Sequence, residues 1–584
     1  MCLMLYMLKI ISSPSCQLSL LLILFITWGM NGQSSMAGDV TNSIHDWDSD
    51  RPQGSGLGDH LLPSTAITQS PDTTLTKPES TQAFYIREIR VMGSTIFSQK
   101  DFAPVVKPFE GRVLTKEEIK QASDAITQLY LNQNYLTSRA VPMIPEAGST
   151  EGVLVIQIIE GQLADIEIRG TKRVNPGYIR SRIQLAASVP LNSMRLEEQL
   201  RLLQLDPLFE NVQASLRPTG QQGKSLLIVR IEEAESSTTN WLIDNYSPVS
   251  VGGERFGLEL GYRNLTGWGD LLTGSYYRTF TGGSNVFSLG YQIPVNAMNG
   301  TVEIRVAPSR TKITESPFKG LNIEGEQEFY DINYRQPVWR SPRKELAISL
   351  GFTHQNGQTF QFDRLPTPFG IGPDSNGVSR TSVIKFGQEY IQRDAQGVWF
   401  WRSQFNFGVG LFNATINQDP IPDSRFFSWA GQLQRTQRLS DSNLLLLQAN
   451  WQFTPDSLLT SQQFVVGGGQ SIRGYRQNIR SGDRGLRLGV ENRITIETDP
   501  AGLPIIQLAP FVDMGVVWNQ SDNPNQLPQE NFLAGAGLGF LWGQALGIDG
   551  LTMRLDYAIP LVDLQDRGNN IQDQGFYFSL RYQP

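Results

Sequence analysis

The side chains that usually carry chemistry are scarce in this chain. Its 584 residues include 3 His and 2 Cys, almost no material for a zinc centre or a cysteine nucleophile. His45 and His60 sit in a polar stretch and read as solvated. No Ser/His/Asp arrangement can be located around His354. The expectation is no catalytic residue, no metal and no cofactor. One arginine and two carboxylates remain of interest. Arg473 lies in Gly467-Gly468-Gly469-Gln470-Ser471-Ile472-Arg473-Gly474-Tyr475, where three glycines allow φ > 0 and a tight fold. Downstream, Arg487, Glu491 and Arg493 share one parity with Gly489, and Leu486, Leu488 and Val490 take the other. In 511–516, Phe511, Asp513 and Gly515 face opposite to Val512, Met514 and Val516. Glu491 and Asp513 are then expected on the same face of adjacent strands. A loop folded onto that face would bring Arg473 into bidentate contact with Asp513, with Gly489 and Gly515 leaving room for its tip.

That geometry needs a closed wall of strands, and residues 240–584 supply one. Helical periodicity is absent there, and short alternating segments are separated by Gly, Pro, Asn, Asp and Ser. In 255–263, Phe256, Leu258, Leu260 and Tyr262 oppose Arg255, Glu259 and Arg263; in 445–453, Leu445, Leu447, Ala449, Trp451 and Phe453 oppose Gln448, Asn450 and Gln452. Trp, Tyr and Phe recur near strand ends, as interfacial girdles do. Sixteen such segments average about 22 residues each with their turns, the span of tilted membrane strands joined by loops. The predicted fold is a membrane all-β protein, a 16-stranded transmembrane barrel. A mean hydropathy of -0.25 excludes a bundle of membrane helices but not a barrel, whose two faces cancel. Net charge -7 argues against a nucleic-acid partner.

Ahead of the barrel, residues 84–161 and 162–235 repeat one pattern. Ile86–Val91 closes on Gly93 and Ile166–Ile168 on Gly170, 77 positions later. Each copy continues with two helical stretches and two strands, giving two small α+β modules of order β-α-α-β-β. In the first, Thr115 and Glu118 form a capping box ahead of Ile119, Ala122, Ile126, Leu129 and Tyr130. In the second, Leu196, Leu200 and Leu203 mark the helix. From 84 to 234 there are 18 Lys+Arg against 17 Asp+Glu, so an exposed strand edge is a better docking element than charge. Leu18–Trp28 is an apolar run preceded by Lys9 and followed by Ser35-Met36-Ala37, which predicts a signal peptide over 1–37. Both cysteines, Cys2 and Cys16, lie inside it. Residues 38–83 read as a disordered arm.

Two β-α-α-β-β modules before a sixteen-stranded barrel resemble two POTRA domains on the BamA-type outer-membrane superfamily. Ile472-Arg473-Gly474-Tyr475 matches its V-R-G-F/Y loop motif with Ile in place of Val, and Phe511-Val512-Asp513-Met514-Gly515 its F-x-D-x-G strand motif. The arrangement is similar to the two-partner secretion transporters, the hemolysin or hemagglutinin secretion/activation proteins. The resemblance implies a protein of the outer membrane, with modules in the periplasm that capture an unfolded exoprotein and a barrel that conducts it without ATP. It implies that Arg473 holds the loop in the lumen against Asp513, with Gly474 and Tyr475 shaping the tip. Many members carry an N-terminal plug helix, but residues 38–60 do not read as one. The last strand, with Phe576, Phe578, Leu580 and Tyr582 on one parity, resembles the signal read by the outer-membrane assembly machinery. Its partners would thus be an exoprotein, outer-membrane lipid and, during biogenesis, that machinery. The alternative is an insertase of the same superfamily, which more often carries three or five POTRA modules. A passive porin lacks such modules.

Overall fold

The computed structural model describes residues 83–143, 152–528, 530–565 and 567–584. The expected signal peptide, arm and plug region therefore lie outside the described residues. Two compact units divide the chain, one ending at Glu235 and one running from Ser236 to Pro584.

In the first unit the expected β-α-α-β-β order holds in the second module, while in the first a short strand, Arg112–Thr115, lies between the two helices. The first sheet pairs Glu88–Met92 in parallel with Val153–Ile159, which runs antiparallel to Arg139–Met143. Gln99–Val106 and Lys116–Asn132 cover it, because Phe102, Ile119, Ile126 and Tyr130 fall on one helical face and meet Ile89, Val91, Leu154 and Ile156. The Thr115 hydroxyl accepts from the Glu118 amide at 3.2 Å, and the Glu118 carboxylate accepts from the Thr115 amide at 2.8 Å. The opening strand, read as one from Ile86 to Val91, divides at Arg87. Ala83–Ile86 leaves the sheet to pair with Arg112–Thr115, because the amides of Arg87 and Glu88 turn to the Gly152 carbonyl. The second sheet has the same form, Gln162–Arg169 parallel to Lys224–Glu233 and the latter antiparallel to Phe209–Pro218. Its helices, Pro176–Gln184 and Ser193–Gln204, are capped by Asn175 and Asn192. Leu196 and Leu203 are buried in the core, with Leu200 packed against it.

The second unit is a closed barrel of sixteen antiparallel strands. Its first strand is Ser237–Asp244, and the fifth is interrupted as Thr301–Val306 and Ser309–Lys312. The sixth to eleventh are Glu324–Arg340, Lys344–Gln361, Val378–Asp394, Gly397–Val409, Phe427–Arg438 and Asn443–Phe453. The twelfth to sixteenth are Arg484–Thr498, Pro504–Trp518, Phe532–Trp542, Leu551–Pro560 and Phe576–Tyr582. Apolar parity faces out: Leu260, Leu488, Val490, Val512, Met514, Leu555 and Tyr557 are all exposed. Closure joins the sixteenth strand to the first through four register pairs, Ser579↔Asp244 to Tyr582↔Trp241, whereas the sixth and seventh share sixteen. Beyond those four, the Asn245 side chain extends the ladder. Its amide group donates to the Phe576 carbonyl at 2.9 Å and its oxygen accepts from the Phe578 amide at 2.9 Å.

Candidate functional site: a loop latched to the lumen wall

The loop of residues 454–483 joins the eleventh and twelfth strands, and its two ends are tied together by a short ladder, Phe464–Val466 with Arg480–Gly482. At its foot the buried Asp483 carboxylate accepts from the Leu458 and Gln520 amides at 3.0 and 2.9 Å and from the Gln463 and Asn523 side chains. Ile472 is fully buried with Phe464, Val466, Tyr475, Ile479, Val517 and Leu533. Gly467, Gly468 and Gly474 adopt φ of +110°, +95° and +103°, a region costly for residues with a Cβ. Gly469 has a different reason. A Cβ there would come within 2.5 Å of the Tyr246 ring and 3.0 Å of Tyr577.

The strand register sets Glu491 opposite Phe511, Gly489 opposite Asp513 and Arg487 opposite Gly515. Onto this face the loop lowers Arg473. Its Nε donates to Asp513 Oδ2 at 2.6 Å and Nη2 to Oδ1 at 3.1 Å, while Nη1 donates to Glu491 Oε2 at 2.8 Å. The guanidinium lies 3.2 Å from the Phe511 ring centroid, a cation–π contact as well as an ion pair. Arg473, Asp513 and Glu491 are all buried. Gly515 leaves room for Ile472, whose Cδ1 would be 2.7 Å from an added Cβ. Gly489, expected to clear the loop tip, instead faces Asp513 Oδ1 at 3.1 Å from such a Cβ; it makes room for the carboxylate.

Three further groups complete the cluster: Arg493, already placed by parity on the face of Glu491, and Arg554 and Asp556, which were not singled out from the sequence. Arg554 on the fifteenth strand donates to Glu491 at 2.7 Å and to Asp556 at 2.8 Å, and Arg493 donates to Glu491 at 2.9 Å. Arg473, Arg493 and Arg554 thus face Glu491, Asp513 and Asp556, with Arg487 a fourth cation on the same face. Arg554 reaches past the fourteenth strand because that strand offers Gly535, Gly537 and Gly539 inward. An added Cβ would meet the Arg473 carbonyl at 1.9 Å, the Phe511 ring at 2.6 Å and Asp556 Oδ1 at 2.4 Å respectively. Glycine at every second position of a strand was the legible signal for this trench.

The motif's end is fixed by hydroxyls. Tyr577, of the inward parity on the last strand, accepts from the Gly474 amide at 2.9 Å and donates to the Tyr475 carbonyl at 2.6 Å. The Tyr475 hydroxyl donates to the Ala534 carbonyl at 2.7 Å. Next to it, Arg476 pairs with Asp573 at 2.8 Å and with Glu315 at 3.2 Å, so the loop also holds two other connections of the barrel. Phe576 and Tyr582 point outward and are exposed, and Phe578 and Leu580 are half-buried. None of these four joins the Arg473 cluster.

Comparison with known proteins agrees with this construction. The family model described as "Haemolysin secretion/activation protein ShlB/FhaC/HecB" matches residues 223–542, and a ShlB-type POTRA domain matches 84–161. The chain is 24% identical over 496 residues to the outer membrane transporter CdiB of Dickeya dadantii, covering 82% of this chain and 83% of the relative. It is 22% identical over 400 residues to the heme/hemopexin transporter protein HuxB of Haemophilus influenzae, covering 67% and 68%. In fold it is similar to CdiB from Escherichia coli, with a TM-score of 0.68, 20% identity and coverage of 95% and 99%. It is also similar to BamA from Haemophilus ducreyi lacking POTRA domains 1-3, with a TM-score of 0.50, 15% identity and coverage of 86% and 100%. With a family match that spans more than half of its length, the chain belongs to the ShlB/FhaC/HecB family of haemolysin secretion/activation proteins, the outer-membrane transporters of two-partner secretion.

Proposed function

We propose that this transporter takes up one partner exoprotein unfolded in the periplasm, through the modules at 84–161 and 162–235, and passes it through the barrel lumen past the loop that Arg473 latches. The observation that carries the reading is the buried cluster of ion pairs around Arg473. A loop merely filling a pore has no need of such a cluster, whereas a loop that must be held and then give way needs strong contacts of limited number. In this reading Asp513 and Glu491 are the wall partners, Phe511 and Gly515 shape their seat, and Gly474 and Tyr475 fix the tip. The alternating outward face contacts outer-membrane lipid, and Phe576, Phe578, Leu580 and Tyr582 serve the assembly machinery during insertion. Family membership favours transport over the insertase reading.

The test is a deletion strain compared with its parent in both secreted and outer-membrane protein content. One exoprotein should disappear from the medium while the barrels of the outer membrane stay unchanged. Broad loss of barrels would overturn transport in favour of assembly.

A further inference from the structure

The loop and the Arg473 cluster occupy one side of the lumen. Beside them lies a cavity of about 340 Å³ lined by the sixth to twelfth strands, by Arg255, Glu303 and Arg305 of earlier strands, and by loop residues such as Gln470, Ser471 and Gln477. Its polar groups are settled differently on its two sides. On the sixth to ninth strands, Lys385 pairs with Asp331, and Arg335 and Arg402 both pair with Glu389. On the tenth to twelfth strands, the register places Gln432, Asn450 and Arg487 side by side in a single inward row that continues from Arg402. Gln432 is 4% exposed, and neither its amide nitrogen nor its oxygen has a hydrogen-bond partner among the described residues. The Asn450 oxygen and the Arg487 Nε have none either.

Unpaired polar groups in a wall oppose folding, so stability does not account for the row. Its chemistry fits one class of ligand. A peptide group is a donor and an acceptor held together, and the Gln432 amide, covered in this state, has the complement of both to offer once its neighbours move aside. Asn450 adds an acceptor and Arg487 a donor. Strands about 4.8 Å apart spread the three side chains over about 10 Å, the length of roughly three residues of extended chain. Between Arg402 and Arg487 the row itself carries only the two neutral amides, Gln432 and Asn450.

We propose that Gln432, Asn450 and Arg487 form a row that reads polypeptide main chain, holding a short extended stretch of cargo against this wall whatever its sequence. The proposal rests on the transport reading and adds where and by which groups the chain is held. The test uses the full-length protein in liposomes with photoreactive benzoylphenylalanine in place of Gln448, on the same face as Asn450, or of Asn333 on the sixth strand. The probe is an unfolded synthetic peptide of Gly, Ser, Thr and Asn, with a second peptide of the same composition in scrambled order. Both peptides should crosslink alike at position 448 and weakly at 333. The pair Gln432→Leu and Asn450→Leu should lower the yield at 448 about tenfold, the loss of one to two hydrogen bonds. Equal crosslinking at 333 and 448, a yield that follows the peptide's order, or no effect of the leucine pair would each overturn the row. The comparison of 448 with 333 needs no change to the row and stands even where the leucine pair fails to assemble. Export by intact cells is scored separately. Export without crosslinking at 448 sinks the row alone, and crosslinking without export sinks the transport reading alone.

Discussion

Arg473 is held by a network, and the network decides what its loss does. Three acceptors, Asp513 Oδ1 and Oδ2 and Glu491 Oε2, take its donors, and all lie where water is scarce. Arg473→Ala would take from the buried Asp513 its ion-pair partner, a loss of about 3–5 kcal/mol in the hold on the loop. Pairing it with Asp513→Asn should recover part of that loss, because the uncompensated charge goes with it. The check is the denaturant midpoint at which a protease cuts residues 454–483 in the inserted barrel, for the single and double variants. Equal midpoints for Arg473→Ala and the parent protein would refute a latch made of this pair. The pair itself was legible, since parity in two adjacent strands and a glycine-flanked arginine fix which groups can meet. Arg554 was not, because its reach to Glu491 depends on three glycines in a strand between them. Their role is to be absent from the lumen, and a periodic reading of side chains passes over residues that have none.

Among the elements, the modules repay a closer look at their ends. Glu233 closes the last strand of the second module and accepts from the amides of Lys172, Arg173 and Val174 at 2.7, 2.9 and 2.9 Å. Burial alone would raise its pKa, but these three amides outweigh burial and hold the carboxyl below its ordinary range. A folded-state pKa below the unfolded one means stability that is present at neutral pH and is lost as pH falls through the carboxylate range. Glu233→Gln should therefore speed amide exchange at 172–174 at pH 7, and the difference from the parent chain should close in acid. Exchange unchanged at pH 7 would show that the turn holds without the charge. Such turns are where the repeat was hardest to read. The helical stretches announce themselves through Ile119, Ala122 and Ile126 or Leu196 and Leu203, and the capping box through Thr115 and Glu118. The split of the first strand at Arg87 follows from the Gly152 carbonyl, a partner more than sixty positions away, and local alternation carries no trace of it.

For the whole molecule, sixteen strands were countable because each must alternate over a membrane's thickness, and that repeats at every turn of the chain. How firmly each neighbour grips the next was not countable, since it depends on register between segments distant in sequence. The ring joins its ends through four register pairs and the side chain of Asn245, against sixteen pairs between the sixth and seventh strands. A closed ring under tension parts at its weakest joint, so the closure sets its mechanical strength. Pulled from its C-terminus in a force spectrometer, the barrel should yield first by peeling the sixteenth strand from the first. Asn245→Ala should lower that initial rupture force and leave the later steps unchanged, and a first step that starts elsewhere would refute the assignment. The barrel is thus stiff around most of its circumference and compliant along one line, like a split hoop held by a clasp.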